Sequence, residues 1–288
     1  MTDYLRATTL DEALGALAKW PGARAIAGGT DWMIPARAGA ETPNAVINIF
    51  RVPELKTITR TKDALELGAC VTVAQLLKSS EVLEHAPVVW KAADRFASPL
   101  VRARATVGGN LCNASPAADL SLALLAADAT VTLASQRGRR SLPLADFVQG
   151  PRKTARAADE LVVSVRIPLR RGQVTRFEKS GTRPGLEISM AAVAFVATLE
   201  DGRVLEPRIA CGAVGPVPLR AKKAEALIAG KKLDADLIEA CVEAAAAEIK
   251  PIDDLRATAR YRRRLVAAYV RRCLEACSSN GRLHAVGS

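Results

Sequence analysis

The chain has 288 residues and a formal net charge of +11, with 49% apolar and 4% aromatic residues. That length leaves room for two domains or three small ones, and the apolar content supports packed cores and excludes a disordered polyelectrolyte. The longest apolar stretch, residues 188–199, is far short of the roughly 20 residues a membrane helix needs, and residues 1–4 lack both the basic start and the apolar run of a secretion signal, so a soluble, cytoplasmic protein is expected.

In chain order, Thr9 stands three residues before Glu12, a capping-box pattern, and Leu10, Ala13, Leu14, Leu17 and Ala18 recur at helical spacing, which predicts a helix over 10–19. Pro21-Gly22 ends it. A short strand over 23–27 then runs into Ala27-Gly28-Gly29-Thr30-Asp31, a helix follows from about Asp31 to before Gly39, and residues 46–49 make another buried strand. Residues 1–55 therefore read as a small helix and parallel-strand unit. Stretches 55–61 and 64–69 flank Lys62-Asp63 as a hairpin, Thr72 with Gln75 opens a short helix, and longer helices fall at 87–96 and 118–126. Strands near 129–134, 139–142 and 161–167 complete a β-rich unit over 56–170.

Beyond Pro168 the texture changes. Residues 174–179, 188–200 and 204–212 read as a three-stranded antiparallel sheet turned by Asp201-Gly202. Helices over 219–228, 234–248 and 257–276 follow, the last with a stripe of Tyr261, Leu265, Tyr269 and Cys273. The class is α+β, with units at 1–55, 56–170 and 174–288.

The composition narrows the chemistry. Six cysteines show no CxxC spacing, and His85 and His284 are the only histidines, so no zinc or iron–sulfur ligand set is readable and no metal site is expected. The cysteines read as reduced, mostly buried thiols, and redox chemistry would need an organic cofactor. The positive charge invites a nucleic-acid reading, but aromatics are too few for stacking and the basic residues are dispersed; a solvated face, or one meeting an acidic partner, fits better.

Gly28-Gly29 and Gly108-Gly109 lie 80 positions apart, the second pair in Thr106-Val107-Gly108-Gly109-Asn110. A glycine pair lets the backbone take positive φ and turn N–H groups inward with no Cβ in the way. Singly, such a pair is more often a tight turn. Two pairs with Thr or Asn alongside, read as strand-to-helix turns, point to a cradle for the two phosphates of a dinucleotide. Neither GxGxxG nor GxxxxGK[ST] occurs; Gly150-Pro151-Arg152-Lys153-Thr154 lacks a P-loop's second glycine.

These motifs, with Val101-Arg102-Ala103-Arg104-Ala105 before the second pair and Asn113-Ala114-Ser115-Pro116-Ala117-Ala118-Asp119 after it, resemble the FAD-binding medium subunit of molybdenum hydroxylases of the xanthine dehydrogenase, carbon monoxide dehydrogenase and 4-hydroxybenzoyl-CoA reductase type. The resemblance extends through Leu142-Pro143-Leu144-Ala145-Asp146-Phe147, Asp159-Glu160-Leu161 and Phe177-Glu178-Lys179, nearly the whole chain. It implies a two-subdomain FAD-binding fold of the PCMH/vanillyl-alcohol-oxidase type, followed by the three-stranded sheet and three-helix domain.

By the same resemblance, Ala27, Gly28, Gly29, Thr30, Asp31, Thr106, Gly108, Gly109, Asn110 and Asn113 line the FAD site, chiefly its pyrophosphate. Asp119 then stands near the ribityl chain and Lys179 near the flavin ring. The residues alone also allow Asp119 as a helix N-cap and Lys179 as an exposed strand lysine. Arg102 and Arg104 read as surface or partner contacts. With no reactive His or Cys in either motif, the flavin is expected to be non-covalent, and no catalytic residue is expected in this chain. The resemblance further implies a large molybdenum-cofactor subunit and a small [2Fe-2S] subunit, arranged as a dimer of heterotrimers, with electrons passing through FAD to NAD or another acceptor. A self-sufficient flavin oxidoreductase and a non-catalytic assembly subunit are the alternatives. The cysteine-bearing insertion of 4-hydroxybenzoyl-CoA reductase is not seen, and Asp31 resembles the xanthine and aromatic-substrate branches more than the carbon monoxide branch.

Overall fold

The computed structural model describes residues 2–40, 42–181 and 188–278, so His284 lies outside the described residues. Strand β1 (Asp3–Arg6) precedes α1 (Leu10–Lys19), β2 (Arg24–Ile26), α2 (Met33–Arg37) and β3 (Ala45–Asn48), and the strands form a parallel sheet in the order β1-β3-β2. β1 carries no sequence signal, because it is four residues long and, among the described residues, pairs with β3 alone, some 40 residues away (Asp3 opposite Ala45). Thr9 caps α1 as expected, its hydroxyl accepting from Glu12 N–H at 3.2 Å. The reciprocal bond slips by one residue: the Glu12 carboxylate accepts from Thr8 N–H at 2.7 Å.

Next come β4 (Ile58–Arg60), β5 (Ala64–Gly68), α3 (Val73–Lys78), α4 (Ser80–His85), α5 (Pro87–Asp94), α6 (Pro99–Arg102), α7 (Val107–Asn113), α8 (Asp119–Ala126), β6 (Thr130–Ser135) and β7 (Gly138–Pro143). The short pieces α9 (Leu144–Phe147), β8 (Val148–Gly150) and β9 (Lys153–Thr154) lead to β10 (Leu161–Pro168). The β4–β5 hairpin forms, but the strand expected from Leu55 begins at Ile58, because Pro53 opens a 3-10 turn over Pro53–Lys56. At α3 both halves of the Thr72/Gln75 capping box are made. An antiparallel sheet in the order β4-β5-β10-β6-β7 puts β10 at its centre.

The remainder is β11 (Gln173–Ser180), β12 (Ala191–Glu200), β13 (Arg203–Gly212), β14 (Leu219–Arg220), α10 (Lys222–Ile228), β15 (Lys231–Lys232), α11 (Ala235–Glu248) and α12 (Ala259–Ser278). The expected three-stranded sheet is there, and two short strands pairing with β13 extend it. Leu219 thus begins a strand, not a helix. The stripe proposed for α12 also drifts: Tyr261 is exposed, and the buried face runs through Arg262, Val266, Tyr269, Val270, Cys273, Leu274 and Cys277. A strict four-residue spacing walks off one face of a helix with 3.6 residues per turn.

The chain forms two compact units. Among the described residues, one comprises those up to Ala86, Phe96–Ser115 and Asp128–Leu169; the other comprises Pro87–Arg95, Pro116–Ala127 and those from Arg170 onward. In the first, α1 lays Leu10, Ala13, Leu14 and Leu17 on Ile47, Leu161 and Val163. In the second, Ala191, Val193, Phe195 and Ala197 of β12 face a core shared with α10, α11 and α12. The opposite face is covered by α5 and α8: Ala192 pairs with Gly212, whose Cα hydrogen side is closed by Leu122 of α8. Burial on both faces accounts for the unbroken apolar run of β12, and every residue of α8 is buried.

In the first unit, Glu160 is 5% exposed and receives Arg140 Nε at 2.6 Å and Ala157 N–H at 2.8 Å. The Arg140 hydrogen bond holds its carboxyl below the usual glutamate range. A lowered folded value means that the stabilisation is complete above the unfolded pKa of about 4.3 and disappears as pH falls through the folded value. Because Arg140 is half exposed, Glu160→Gln is expected to cost about 1 kcal/mol near neutrality and nothing in acid. Urea unfolding between about pH 3 and about pH 6 tests this; a loss independent of pH would contradict it.

The cysteines are all free; Cys112 is exposed and the other five are buried. Burial pushes the Cys70, Cys211 and Cys241 thiols up to about 12, which makes them inert. Among the described residues no group of three His, Cys, Asp or Glu could hold a metal ion, and no helix is long and apolar enough to cross a membrane.

Candidate functional site

In the first unit, Ala27-Gly28-Gly29-Thr30-Asp31 joins β2 to α2 at the carboxyl end of a parallel sheet, where α/β units bind ligands. Gly29 has φ +75°, the left-handed region, as the sequence suggested. Gly28 is glycine for another reason: a Cβ there would be driven into the carbonyl oxygen of Arg104. That close approach sets the loop against the chain entering the second glycine motif, and Arg104 adds an Nε bond to the Gly28 carbonyl at 3.4 Å while stacking 4.1 Å from the Phe50 ring centre. Among the described residues, the N–H groups of Gly28, Gly29, Thr30 and Asp31 have no acceptor within the protein. Consecutive unbonded N–H groups in a tight turn suit an anion.

The second pair works differently from the expectation. Gly108 and Gly109 lie inside α7 without positive φ, and what precedes them is α6 and a turn, with no strand. Their N–H groups are already used: Gly108 donates to Ala69 O at 2.8 Å and Gly109 to the Thr106 hydroxyl at 3.1 Å. Val107 and Asn110 donate to Val71 O and Thr106 O. Gly108 is small because α7 presses on β5's exit, where a Cβ would come within 2.7 Å of the Ala69 methyl. This motif therefore offers a surface without side chains, but no free donors from 107 to 110.

Asp31 ties the two motifs together. Its carboxylate accepts from Asn113 Nδ2 at 3.0 Å and from Arg152 Nη1 at 2.7 Å, and Arg152 also donates to Asn113 Oδ1. Arg152, with φ +61°, is further held by its N–H on Ala114 O at 3.1 Å. In the sequence Arg152 stands only within Gly150-Pro151-Arg152-Lys153-Thr154, which lacks a P-loop's second glycine. Its signal was present in Gly150-Pro151-Arg152, a turn that brings a cation to the loop. A cavity of about 410 Å³ beside this loop, between α2 and the sheet and including Tyr4, Trp32 and Arg37 in its lining, also had no sequence signature.

The second unit holds Asp119 and Lys179. Lys179 is opposite Ala192 in the sheet, hence on the face that α8 covers, and its Nζ meets Asp119 Oδ2 at 2.6 Å. Both side chains are buried, at 1% and 8% exposure. Ser189 Oγ donates to Asp119 Oδ1 at 2.7 Å, and Lys179 Nζ also reaches Arg95 O at 3.2 Å. Two plain readings fall here. Lys179 is not an exposed strand lysine, and Asp119 is not the cap, since Ala118 occupies that position and Asp119 is the first residue of α8. A carboxylate at a helix N-terminus is favoured by the macrodipole, so this one satisfies the helix and a buried ammonium together.

In the first unit a turn with unbonded N–H groups suits an anion, and the α+β chain lacks the GxGxxG of a Rossmann site. Comparison with known proteins agrees. Residues 1–170 match the FAD binding domain in molybdopterin dehydrogenase, and residues 176–277 match the CO dehydrogenase flavoprotein C-terminal domain. The xanthine dehydrogenase FAD-binding subunit of Escherichia coli O157:H7 is 31% identical over 96% of this chain and 97% of its own length. The glyceraldehyde dehydrogenase medium chain of Sulfolobus acidocaldarius is 31% identical over 91% and 93%. A solved structure of carbon monoxide dehydrogenase from Hydrogenophaga pseudoflava, lacking the Mo-pyranopterin moiety of its molybdenum cofactor, superposes with TM-score 0.92 at 30% identity, covering 96% of each chain. The chain belongs to the FAD-binding medium subunits of the molybdenum hydroxylase family, and its first domain is an FAD-binding domain.

Proposed function

We propose that this chain is the electron-relay subunit of a heteromeric molybdenum hydroxylase. Its FAD is bound non-covalently, with the pyrophosphate on Ala27, Gly28, Gly29, Thr30 and Asp31 and against Thr106, Gly108, Gly109, Asn110 and Asn113. The observation that carries this reading is the run of four N–H groups, from Gly28 to Asp31, that lack protein acceptors in a turn closed around Gly28. Each hydrogen bond to an ionised phosphate contributes roughly 1.5–3 kcal/mol, so four are enough for a large share of nanomolar binding, about 12 kcal/mol. Bound FAD would supply uptake and release of electrons one or two at a time.

Substrate oxidation belongs to a large molybdenum-cofactor subunit, and electrons arrive from [2Fe-2S] clusters on a small one and leave to NAD or another acceptor. A dimer of heterotrimers in the cytoplasm, and a division at 1–55, 56–170 and 174–288, complete the proposal. Relatives named for xanthine and glyceraldehyde dehydrogenases align over nearly their full lengths, which supports a substrate choice made outside this chain.

Purification of the chain, a visible spectrum and acid extraction test the reading: releasable FAD is expected, and absence of bound or rebinding flavin would overturn it. Reduction of that flavin directly by a small organic substrate, without partners, would instead indicate a self-sufficient enzyme. In Gly109→Glu, a Cβ 2.8 Å from the Thr106 hydroxyl strains the α7 cap and sets a carboxylate by the phosphate site. Flavin is expected to be lost while far-UV circular dichroism is kept; full flavin occupancy would refute the site.

A further inference from the structure

In the second unit, the loop joining α11 to α12 projects Ile252 (71% exposed) and Leu255 (fully exposed), with Tyr261 exposed in the first turns of α12. Large apolar side chains this exposed normally belong to slack loops, but this loop is held from inside. Asp254 Oδ1 accepts from Arg256 N–H at 2.8 Å, Ala257 N–H at 3.0 Å and Arg262 Nη2 at 2.6 Å. Asp253 Oδ1 accepts from Ala259 N–H, and Lys250 N–H donates to Val214 O at 3.0 Å. Arg262, 4% exposed, anchors the arrangement by donating also to the carbonyls of Met190 and Ala213. A buried arginine therefore presets a loop that presents two apolar knobs.

The first turns of α12, which follow this loop directly, carry Arg260, Arg263 and Arg264, exposed and without an ion pair among the described residues. Apolar anchors with a cationic rim form the layout of a protein interface, the anchors contributing affinity and the rim register and encounter rate. A two-fold contact between copies of this chain would set these arginines against one another. An acidic partner face neutralises them, and it suits a chain of net charge +11. Preset loops bind with less ordering cost.

Resting on the reading of this chain as one subunit of a complex, we infer that Ile252, Leu255 and the arginines at 260, 263 and 264 form a docking surface for another subunit of that complex, one that offers an apolar socket rimmed by Asp and Glu.

The test is co-expression with the molybdenum-cofactor and iron–sulfur subunits, using Ile252→Ser/Leu255→Ser and, separately, Arg260→Glu/Arg263→Glu/Arg264→Glu. Each is expected to keep wild-type flavin content and thermal midpoint while weakening assembly at least about tenfold, measured by size exclusion over a dilution series. Wild-type assembly should itself weaken with added salt. Assembly of either folded variant at wild-type affinity overturns the surface. So does binding of the wild-type chain to anionic phospholipid vesicles that depends on these arginines while assembly is untouched. Should the charge reversal unfold the chain, the apolar pair decides alone. If the wild-type chain forms no complex, the subunit reading fails with it; if the wild type assembles and the variants do too, only this surface fails.

Discussion

Lys179→Met is expected to lower the unfolding free energy of the second unit by about 3–5 kcal/mol, the usual cost of leaving a buried charge without its partner. Lys179 and Asp119 sit 2.6 Å apart with almost no solvent access, so water cannot replace the lost ammonium. Asp119→Leu should cost a similar amount for the opposite charge. The double variant Asp119→Leu/Lys179→Met should recover a large part of the loss, since a buried ion pair exchanged for apolar side chains of similar volume is often neutral or stabilising. Urea titrations of the four proteins form a double-mutant cycle, which isolates the pair term. Additive losses, or a single-variant cost under about 1 kcal/mol, would mean that the pair behaves as a solvated surface bridge.

Gly28→Ala is expected to eliminate detectable bound flavin, a weakening of at least about 100-fold, or about 2.7 kcal/mol. The added methyl meets a backbone carbonyl, that of Arg104, and no rotamer change can move it aside. The β2–α2 loop must retreat from the chain entering α7, and the retreat carries the unbonded N–H groups of Gly28 to Asp31 away from where a phosphate would meet both motifs. Because the core of this unit packs on α1, β3 and β10, the far-UV spectrum and the cooperative unfolding transition should persist. The ratio of flavin to protein absorbance after purification, with acid extraction, gives the answer. Wild-type occupancy in Gly28→Ala would show that the close approach is not needed and would remove the main geometric support for the cradle.

The glycine pairs were legible as motifs, yet their mechanics were only half legible. For Gly29 a positive φ could be anticipated, because a tight strand-to-helix turn requires it. For Gly108 and Gly109 the same expectation was wrong: they are helical, and their role is steric. For Gly108 the distinction rests on Ala69, nearly 40 positions earlier, which nothing in the local sequence announces. Likewise the helical face of α12 could be placed only to within one stripe, since Arg262 is buried on the strength of partners at Met190, Ala213 and Asp254.

By itself the sequence determined what local physics controls: the caps at Thr9 and Thr72, the parallel helix–strand opening, the antiparallel sheet that follows Pro168, the absence of recognisable metal-ligand spacing, and the family. Only the tertiary structure decided which donors stay free, because an N–H group is available to a phosphate or consumed by a carbonyl according to contacts made across the fold. It decided too that Lys179 and Asp119, 60 positions apart, share one buried bond. Helical and strand periodicity act over a few residues, whereas the desolvation that turns two ordinary charged side chains into an obligate pair exists only once the sheet and the helix have closed over them.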